Sequence, residues 1–416
     1  MINFERFTLD NGLTVLVHED HTTPMAVVNI LYNVGARDES PDQTGFAHLF
    51  EHLMFGGSVN IPSYDAPLQQ VGGENNAFTS NDITNYYITL PADNLETAFW
   101  LESDRMLSLA FSDQSLEVQR QVVCEEFKQR YLNQPYGDAW LRLRPMAYKV
   151  HPYRWATIGK ELKHIEDAKM EDVKAFFQKF YTPQNAIMVV AGDVTLEQVR
   201  LLTQKWFADI PKGQSYQRNL PQEPQQLIAR RETVVADVPV DSIYIAFHGF
   251  ERSSKDYQAM DLLSDILSRG SSSRLYRSLV KEKQCFSEIN AYVTGSIDSN
   301  LFVIEGKPSE NISLSDAEAM IWEEIESIKS TLVDEAELQK VKNKIESTML
   351  FAELSILDKA MNLAYYEVLG DANDYNKEGD RYLSIKSEDL LRVSSEIFRK
   401  ENSSTLWYQT KGGVNA

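Results

Sequence analysis

The chain has 416 residues, of which 43% are hydrophobic and 25% charged, so it can bury large cores and form two to three domains. Its formal net charge of -20 argues against nucleic acid as a partner, because phosphate backbones are bound by basic surfaces. Cys124 and Cys285 are too few for a disulfide framework, and no apolar run approaches the length of a membrane span.

The first residues do not have the basic and then apolar layout of a signal peptide. Together with the low cysteine content, this favours a soluble protein of the cytoplasm, where thiols stay reduced. A periplasmic location would follow if an N-terminal signal had been removed. We therefore expect neither a membrane nor a nucleic acid among the partners.

Strand and helix patterns fill the first half of the chain. A hairpin is predicted at its start, with strands at 4–9 and 13–18 on either side of Asp10-Asn11-Gly12, and a third strand follows at 26–32. An apolar helix begins near residue 45, with Thr44 as its expected N-cap. Further strands are predicted at 76–80, 86–90 and 186–191, and helices at 92–111, 114–130, 134–147, 169–180 and 195–208.

A polar stretch with several prolines, at 211–230, separates two predicted domains, 1–210 and 231–416. The second domain begins like the first, with strands at 233–238 and 242–248 and a helix at 257–268. We therefore expect an α+β fold of two homologous αβ domains, each a mostly antiparallel sheet backed by helices.

Aligning the helices that follow these strands keeps the apolar positions but not the polar ones. A duplicated domain in which only the first copy carries a metal motif would explain this pattern. The aligned polar pairs are His48 with Asp261, Glu51 with Ser264, and His52 with Asp265.

The most informative motif of the first half is His48-Leu49-Phe50-Glu51-His52. Residues four apart lie on one face of a helix, so the imidazoles of His48 and His52 are expected to meet. Two imidazoles at this spacing can bind one zinc ion, and the carboxylate of Glu51 beside them can act as a general base. The order H-x-x-E-H is that of the inverted zincins.

A catalytic zinc site needs a third protein ligand. The helix predicted at 114–130 offers three glutamates, and all three could instead be ordinary surface charges. Glu126 shares the more apolar face of this helix, whereas Glu125 and Glu117 share a face that is expected to meet solvent. Glu126 is therefore the predicted third ligand.

These segments closely resemble the pitrilysin, insulysin and mitochondrial-processing-peptidase family of metallopeptidases. The resemblance rests on H-x-x-E-H, on the later helix that contains Val122-Val123 and Glu126, and on Gly73-Glu74-Asn75-Asn76-Ala77-Phe78-Thr79-Ser80. It implies a zinc endopeptidase with His48, His52 and Glu126 as metal ligands and Glu51 as the base. It also implies that the edge strand of the active site, at which substrate binds, contains Asn76, Ala77, Phe78 and Thr79.

Two positions depart from the family pattern. Members commonly have a glutamate near the metal seven residues before the third ligand, where this chain has Gln119, an uncharged residue that can still orient a ligand. Members often carry an Arg and a Tyr seven apart that stabilise the tetrahedral intermediate, and here those positions hold Lys281 and Glu288. A carboxylate cannot donate to an oxyanion at neutral pH. Arg274 and Tyr292 are nearby in sequence but do not have the required spacing.

The sequence therefore predicts a zinc endopeptidase that cleaves unfolded peptides or small proteins. Because the Arg and Tyr that would stabilise the oxyanion are missing from this chain, we expect it to be the catalytic subunit of a paired clamshell in which a homologous partner supplies them. A homodimer is the other expected assembly. The main alternative is a non-catalytic scaffold derived from a peptidase. A zinc hydrolase that acts on non-peptide substrates is a weaker alternative, because the strand at 76–80 suits an extended peptide.

Overall fold

The computed structural model describes residues 1–411, which form two compact units. Unit 1 comprises residues 1–128, 155–220 and 349–377, and unit 2 comprises residues 129–154, 221–348 and 378–411. The units interleave in sequence and so differ from the linear ranges 1–210 and 231–416. That residues 1–210 and 231–416 are duplicated domains stays a prediction. Among the described residues, none of the helices combines the length and hydropathy that crossing a bilayer requires.

Eleven strands and fourteen α-helices form within residues 1–411. The strands are β1 Glu5–Thr8, β2 Thr14–Glu19, β3 Met25–Tyr32, β4 Glu74–Thr79, β5 Thr84–Pro91, β6 Ala186–Gly192, β7 Arg230–Ala236, β8 Ser242–His248, β9 Phe286–Val293, β10 Leu301–Pro308 and β11 Ser403–Thr410. The helices are α1 Phe46–Leu53, α2 Asp65–Gln70, α3 Leu95–Leu107, α4 Asp113–Phe127, α5 Ala139–Ala147, α6 Leu162–Glu166, α7 Met170–Phe180, α8 Leu196–Phe207, α9 Tyr257–Ser268, α10 Leu314–Ser330, α11 Glu335–Ala352, α12 Ile356–Leu369, α13 Tyr375–Ser384 and α14 Ser387–Ile397.

The two sheets share one topology, which confirms the predicted fold of two similar αβ domains. In unit 1 the strand order is β1-β2-β6-β3-β5-β4, and in unit 2 it is β7-β11-β8-β10-β9. The order β2-β6-β3-β5-β4 in unit 1 corresponds to β7-β11-β8-β10-β9 in unit 2. In each of these orders the first pair, β2 with β6 or β7 with β11, is parallel, and the remaining neighbours are antiparallel. The first sheet has one additional strand, β1, which pairs with the outer side of β2.

Each unit includes one helix from the other half of the sequence. In unit 1, α12 packs on β3 and β6, and apolar residues such as Leu363 and Ala364 join the core formed by Val27 and Val189. In unit 2, α5 packs on β8 and β11 in the same way. Each sheet is therefore covered on one face by a helix that is distant in sequence.

Several predicted boundaries shift. The helix predicted at 134–147 begins only at Ala139, because Tyr136 has φ 62 and so leaves the right-handed helical region. The strand predicted at 233–238 is β7, which starts three residues earlier, at Arg230. The predictions at 242–248 and 257–268 coincide with β8 and α9.

Candidate metal centre

Helix α1 has one buried stripe and one accessible face. The stripe packs against α7, where the ring of Phe50 stacks on that of Phe176 at 5.1 Å. His48 and His52 lie on the other side, with 14% and 24% of their side chains exposed. The four buried apolar residues of the stripe are Phe46, Leu49, Phe50 and Leu53.

The start of α1 is held by a residue that the sequence did not suggest. The N-cap is Gly45, at φ 88, and a Cβ at this position would lie 2.6 Å from the carbonyl oxygen of Ile158. The prediction of Thr44 as the N-cap is wrong, because the hydroxyl of Thr44 instead accepts a hydrogen bond from the N–H of Lys160. The buried carboxylate of Glu39 accepts the N–H groups of Gly45 and Ala47, both at 2.9 Å. When this carboxyl group is ionised, its negative charge is also stabilised by the positive end of the helix dipole.

Burial raises the pKa of Glu39 from its ordinary value of 4.5 to about 8, although the N–H groups of Ala47 and Gly45 lower it. Because the pKa of Glu39 is higher in the folded state than in the unfolded state, protonation of Glu39 stabilises the fold. This stabilisation is fully present below pH 4.5 and is lost as pH rises through 8. At about 1.4 kcal/mol per pKa unit, the loss reaches several kcal/mol. Glu39→Gln should remove this dependence.

Thermal melting of the wild type and Glu39→Gln between pH 5 and pH 9 measures the effect. We expect the variant to gain stability relative to the wild type as pH rises, on top of a constant cost of about 1–3 kcal/mol for the lost acceptor. The exposed Glu171→Gln serves as control. Parallel pH profiles for the wild type and Glu39→Gln would contradict the prediction.

The three predicted metal ligands lie together. Their donor atoms are all within 4.8 Å of one another, and among residues 1–411 they form the one group of three or more His, Cys, Asp or Glu that could hold a metal ion. Oε2 of Glu126 lies 3.7 Å from Nε2 of His48 and 3.5 Å from Nε2 of His52. Tetrahedral zinc bonds of about 2.0–2.2 Å require donors about 3.3–3.6 Å apart. The donor set suits zinc, and the two distances from the carboxylate to the imidazoles lie within this range or just above it.

Glu51 lies beside this group and does not belong to it. Its carboxylate accepts a hydrogen bond of 2.6 Å from Oγ1 of Thr79. Burial raises the pKa of Glu51, while the hydrogen bond from Thr79 and the neighbouring His52 lower it. A carboxylate with a raised pKa, oriented by a fixed donor, suits a group that accepts and returns a proton.

The strand β4, which carries Asn76 to Thr79, is an edge strand whose ladder partner is β5. Thr79 connects this edge to Glu51, and Phe78 is 40% exposed. The N–H of Ala77 donates to Oδ1 of Asn76 at 2.8 Å, an acceptor that a bound peptide could replace. Strand addition beside the metal group is therefore geometrically available.

The other glutamates of α4 point elsewhere. Glu125 is exposed and accepts from Nζ of Lys128 at 2.7 Å, and Glu117 pairs with Arg120. Gln119 is half-buried two turns before Glu126. Its predicted role in orienting the ligand stays a prediction.

In unit 2, Glu288 is an unsuitable oxyanion donor. The hydrogen bond from Nζ of Lys307, at 3.0 Å, lowers the pKa of Glu288, so the carboxylate is charged at neutral pH and can only accept. Lys281 is exposed near the end of the short π-helical segment Tyr276–Glu282 that precedes β9.

The two other donors considered from the sequence are engaged within unit 2. The hydroxyl of Tyr292 donates to Glu305 at 3.1 Å, and the guanidinium of Arg274 binds Glu337 at 2.8 Å. Neither replaces the missing Arg and Tyr at matching positions.

The counterparts of the histidines on α9 serve local packing. Asp261 accepts from the hydroxyl of Tyr382 at 2.7 Å, and Asp265 accepts from Arg269 at 3.2 Å. This arrangement agrees with a second domain that carries no metal motif.

Two family models match the chain: "Insulinase (Peptidase family M16)" at residues 14–146 and "Peptidase M16 inactive domain" at 167–345. The zinc protease PqqE of Helicobacter pylori is 32% identical over 97% of this chain and 92% of its own length. The chain belongs to the M16 peptidase family. The resemblance inferred from the motifs is thereby confirmed.

Further M16 relatives agree. The beta subunit of the mitochondrial-processing peptidase of Saccharomyces cerevisiae is 26% identical over 83% of this chain and 77% of its own length. A crystal structure of a protease from Helicobacter pylori superimposes with a TM-score of 0.92 at 31% identity, and the match covers 98% of this chain and 100% of that chain. All three candidate metal ligands lie within the range of the insulinase model, and the inactive-domain model covers α9.

Proposed function

We propose that the chain is a zinc-dependent endopeptidase in which His48, His52 and Glu126 hold the metal and Glu51 is the general base. The observation that carries the proposal is the convergence of two imidazoles and one carboxylate, with a second carboxylate held beside them by Thr79. The zinc proteases among its M16 relatives support the same chemistry.

In the proposed reaction, Glu51 and Thr79 have separate roles beside the metal. Zinc, when bound, supplies Lewis acidity, which polarises a peptide carbonyl and acidifies water. Glu51 accepts the proton of the attacking water and returns it to the nitrogen of the leaving amine. The hydroxyl of Thr79 holds the carboxylate of Glu51 in position between these two transfers.

The edge of β4 would bind the substrate as an additional strand. Main-chain pairing makes few demands on sequence, and it requires an extended substrate. Asn76, Ala77, Phe78 and Thr79 therefore favour unfolded peptides or small proteins. The side chain of Asn76, which occupies the Ala77 N–H, would be displaced as the peptide binds.

Separate substitutions of two adjacent glutamates, Glu126 and Glu125, test the metal site. We expect Glu126→Gln to lower zinc affinity by about 100-fold or more, because an amide oxygen replaces a charged ligand. Glu125→Gln should bind zinc like the wild type, since Glu125 is exposed and pairs with Lys128. Competition with a zinc indicator measures both. Equal affinities for the two variants would exclude Glu126 as a ligand.

The residues at the Arg and Tyr positions favour a requirement for a partner subunit. Since Glu288 carries a charge and Lys281 replaces the arginine, we propose that a homologous subunit supplies an Arg and Tyr pair. An oxyanion donor typically contributes a factor of about 10² to 10³ in rate. The relative named as a beta subunit agrees with a paired enzyme.

Adding the partner should raise cleavage of an unfolded peptide library by about 100-fold over the isolated, zinc-loaded chain. The comparison needs a partner candidate that has the Arg and Tyr but lacks H-x-x-E-H. A variant of that partner with Phe in place of the Tyr is the control and should give little activation. Full activity of the isolated chain would exclude a required partner.

A non-catalytic scaffold is the second candidate, and it is favoured by the inactive-domain model that matches residues 167–345. The metal group lies outside that range. Stoichiometric zinc with cleavage that depends on Glu51 would exclude the scaffold, and absence of zinc binding would favour it.

A further inference from the structure

One edge of the second sheet is open. Among residues 1–411, β7 pairs with β11 alone, whereas its topological counterpart, β2, lies between β1 and β6. An open edge presents main-chain N–H and C=O groups to any strand that approaches it. The second sheet therefore has a second edge, besides β9, that can accept a strand.

A groove of about 840 Å³ lies beside this edge. Arg231 of β7 lines it from the strand side, Ala319 and Trp322 of α10 line it from the helix side, and Trp407 of β11 also contributes. A groove lined by an edge strand and a neighbouring helix is the geometry in which peptides add to sheets. The wall and the open edge belong to the same unit.

The charges at the strand side of the groove are already paired. Both guanidinium Nη atoms of Arg231 bind the two carboxylate oxygens of Glu318, at 2.7 and 2.6 Å, and the guanidinium stacks on the ring of Trp407 at 4.5 Å. Arg231 thus contributes a paired charge to the wall. The two indole rings are the large apolar side chains among the lining residues, and they suit large apolar side chains of a ligand.

The chain beside the groove is unusually apolar for a surface. Leu227 and Ile228, just before β7, are 68% and 77% exposed, and Val235 on β7 is 53% exposed. Exposed apolar side chains on and just before an open edge strand add apolar surface that another chain could bury.

We propose that the open edge of β7 and its groove bind an extended segment of unfolded polypeptide. The peptide adds to β7 as a strand and places large apolar side chains against Trp322 and Trp407. This is a second peptide-binding site, in unit 2, in addition to the edge of β4.

Charge favours a foreign peptide over a second copy of this chain. The chain has a net charge of -20, so two copies repel each other, whereas the charges of the groove itself are balanced: Glu323 and Glu326 pair with Lys283 and Lys329, and Lys400 also lines the groove. Neutral or basic peptides are therefore preferred. Binding at β7 requires neither the metal nor Glu51, so it can be tested apart from the proposed catalysis.

Hydrogen exchange on the metal-free, full-length wild type provides the test. The probe is an unstructured basic peptide with alternating leucines and phenylalanines. We expect the peptide to slow exchange at 230–236 by about tenfold or more. Protection at β4 alone would overturn the inference, and so would protection of β7 that depends on protein concentration without peptide. Protection of β7 in a protein that cleaves nothing would support this site while the proposed function fails.

A matched pair of substitutions provides the second measurement. Ala319→Trp fills the groove from an exposed position on α10, whereas Ala336→Trp adds the same side chain at an exposed position on α11 outside the groove. We expect Ala319→Trp to abolish the peptide's protection of β7 and Ala336→Trp to retain it. Equal protection in both variants would overturn the role of the groove.

Discussion

Replacing Glu51 with glutamine is expected to lower the rate of peptide cleavage by about 10² to 10⁴-fold while zinc remains bound. The amide has nearly the shape of the carboxylate, so the hydrogen bond from Thr79 can persist at the amide oxygen. Glutamine cannot accept the proton of the attacking water, and therefore the loss should appear in kcat rather than in KM.

The measurement is made in whichever assembly cleaves peptides, the chain alone or with a partner. Zinc content of Glu51→Gln should equal that of the wild type, which distinguishes loss of the base from loss of the metal. Glu125→Gln, which changes an exposed carboxylate on α4, should cleave normally. A Glu51→Gln variant that cleaves at the wild-type rate would exclude Glu51 as the base.

Removing Glu102 should destabilise the protein by about 3–5 kcal/mol, because it leaves the buried Arg105 without its counter-ion. The exposed fraction of Glu102 is 0% and that of Arg105 is 1%. Arg105 donates to both carboxylate oxygens of Glu102, at 2.6 to 2.9 Å, and the hydroxyl of Tyr64 donates to the same carboxylate at 2.6 Å. The guanidinium also lies 4.4 Å from the ring of Tyr86, so the cation cannot move to solvent without disturbing the core.

Urea unfolding of Glu102→Ala measures this loss. An exposed pair with the same i,i+3 spacing, Glu326 with Lys329 at 2.7 Å, is the control, and Glu326→Ala should cost no more than about 1 kcal/mol. Replacing both buried partners with leucine should restore most of the stability, because no unpaired charge remains. A loss below 1 kcal/mol for Glu102→Ala would show that Arg105 is stabilised by other groups.

The site could be predicted from sequence where it depends on local spacing. His48, Glu51 and His52 lie on one helix, so their proximity follows from the helical repeat. Glu126 required a second inference, namely that the more apolar face of α4 packs toward the core. In the structure its carboxylate does lie beside both imidazoles.

The remaining parts depend on tertiary contacts that no local pattern contains. Glu39 reaches the start of α1 from a preceding loop, and its polar character gives no sign of burial. The boundary of β7 was misjudged because Arg230 and Arg231 are polar residues on an edge strand. Arg230 is held by the carbonyl groups of Met146 and Ala147 on a helix distant in sequence. The predicted cytoplasmic location stays a prediction.

The interleaving of the units bears on how the protein can be made. The sheet of unit 1 has all its strands once β6 has been synthesised, but its cover helix α12 follows only after most of the second sheet. The second sheet in turn lacks β11, which lies between β7 and β8, until residues 403–410 emerge. A nascent chain therefore exposes apolar sheet surface until residue 410 has left the ribosome, and exposed surface of this kind makes folding intermediates prone to aggregate.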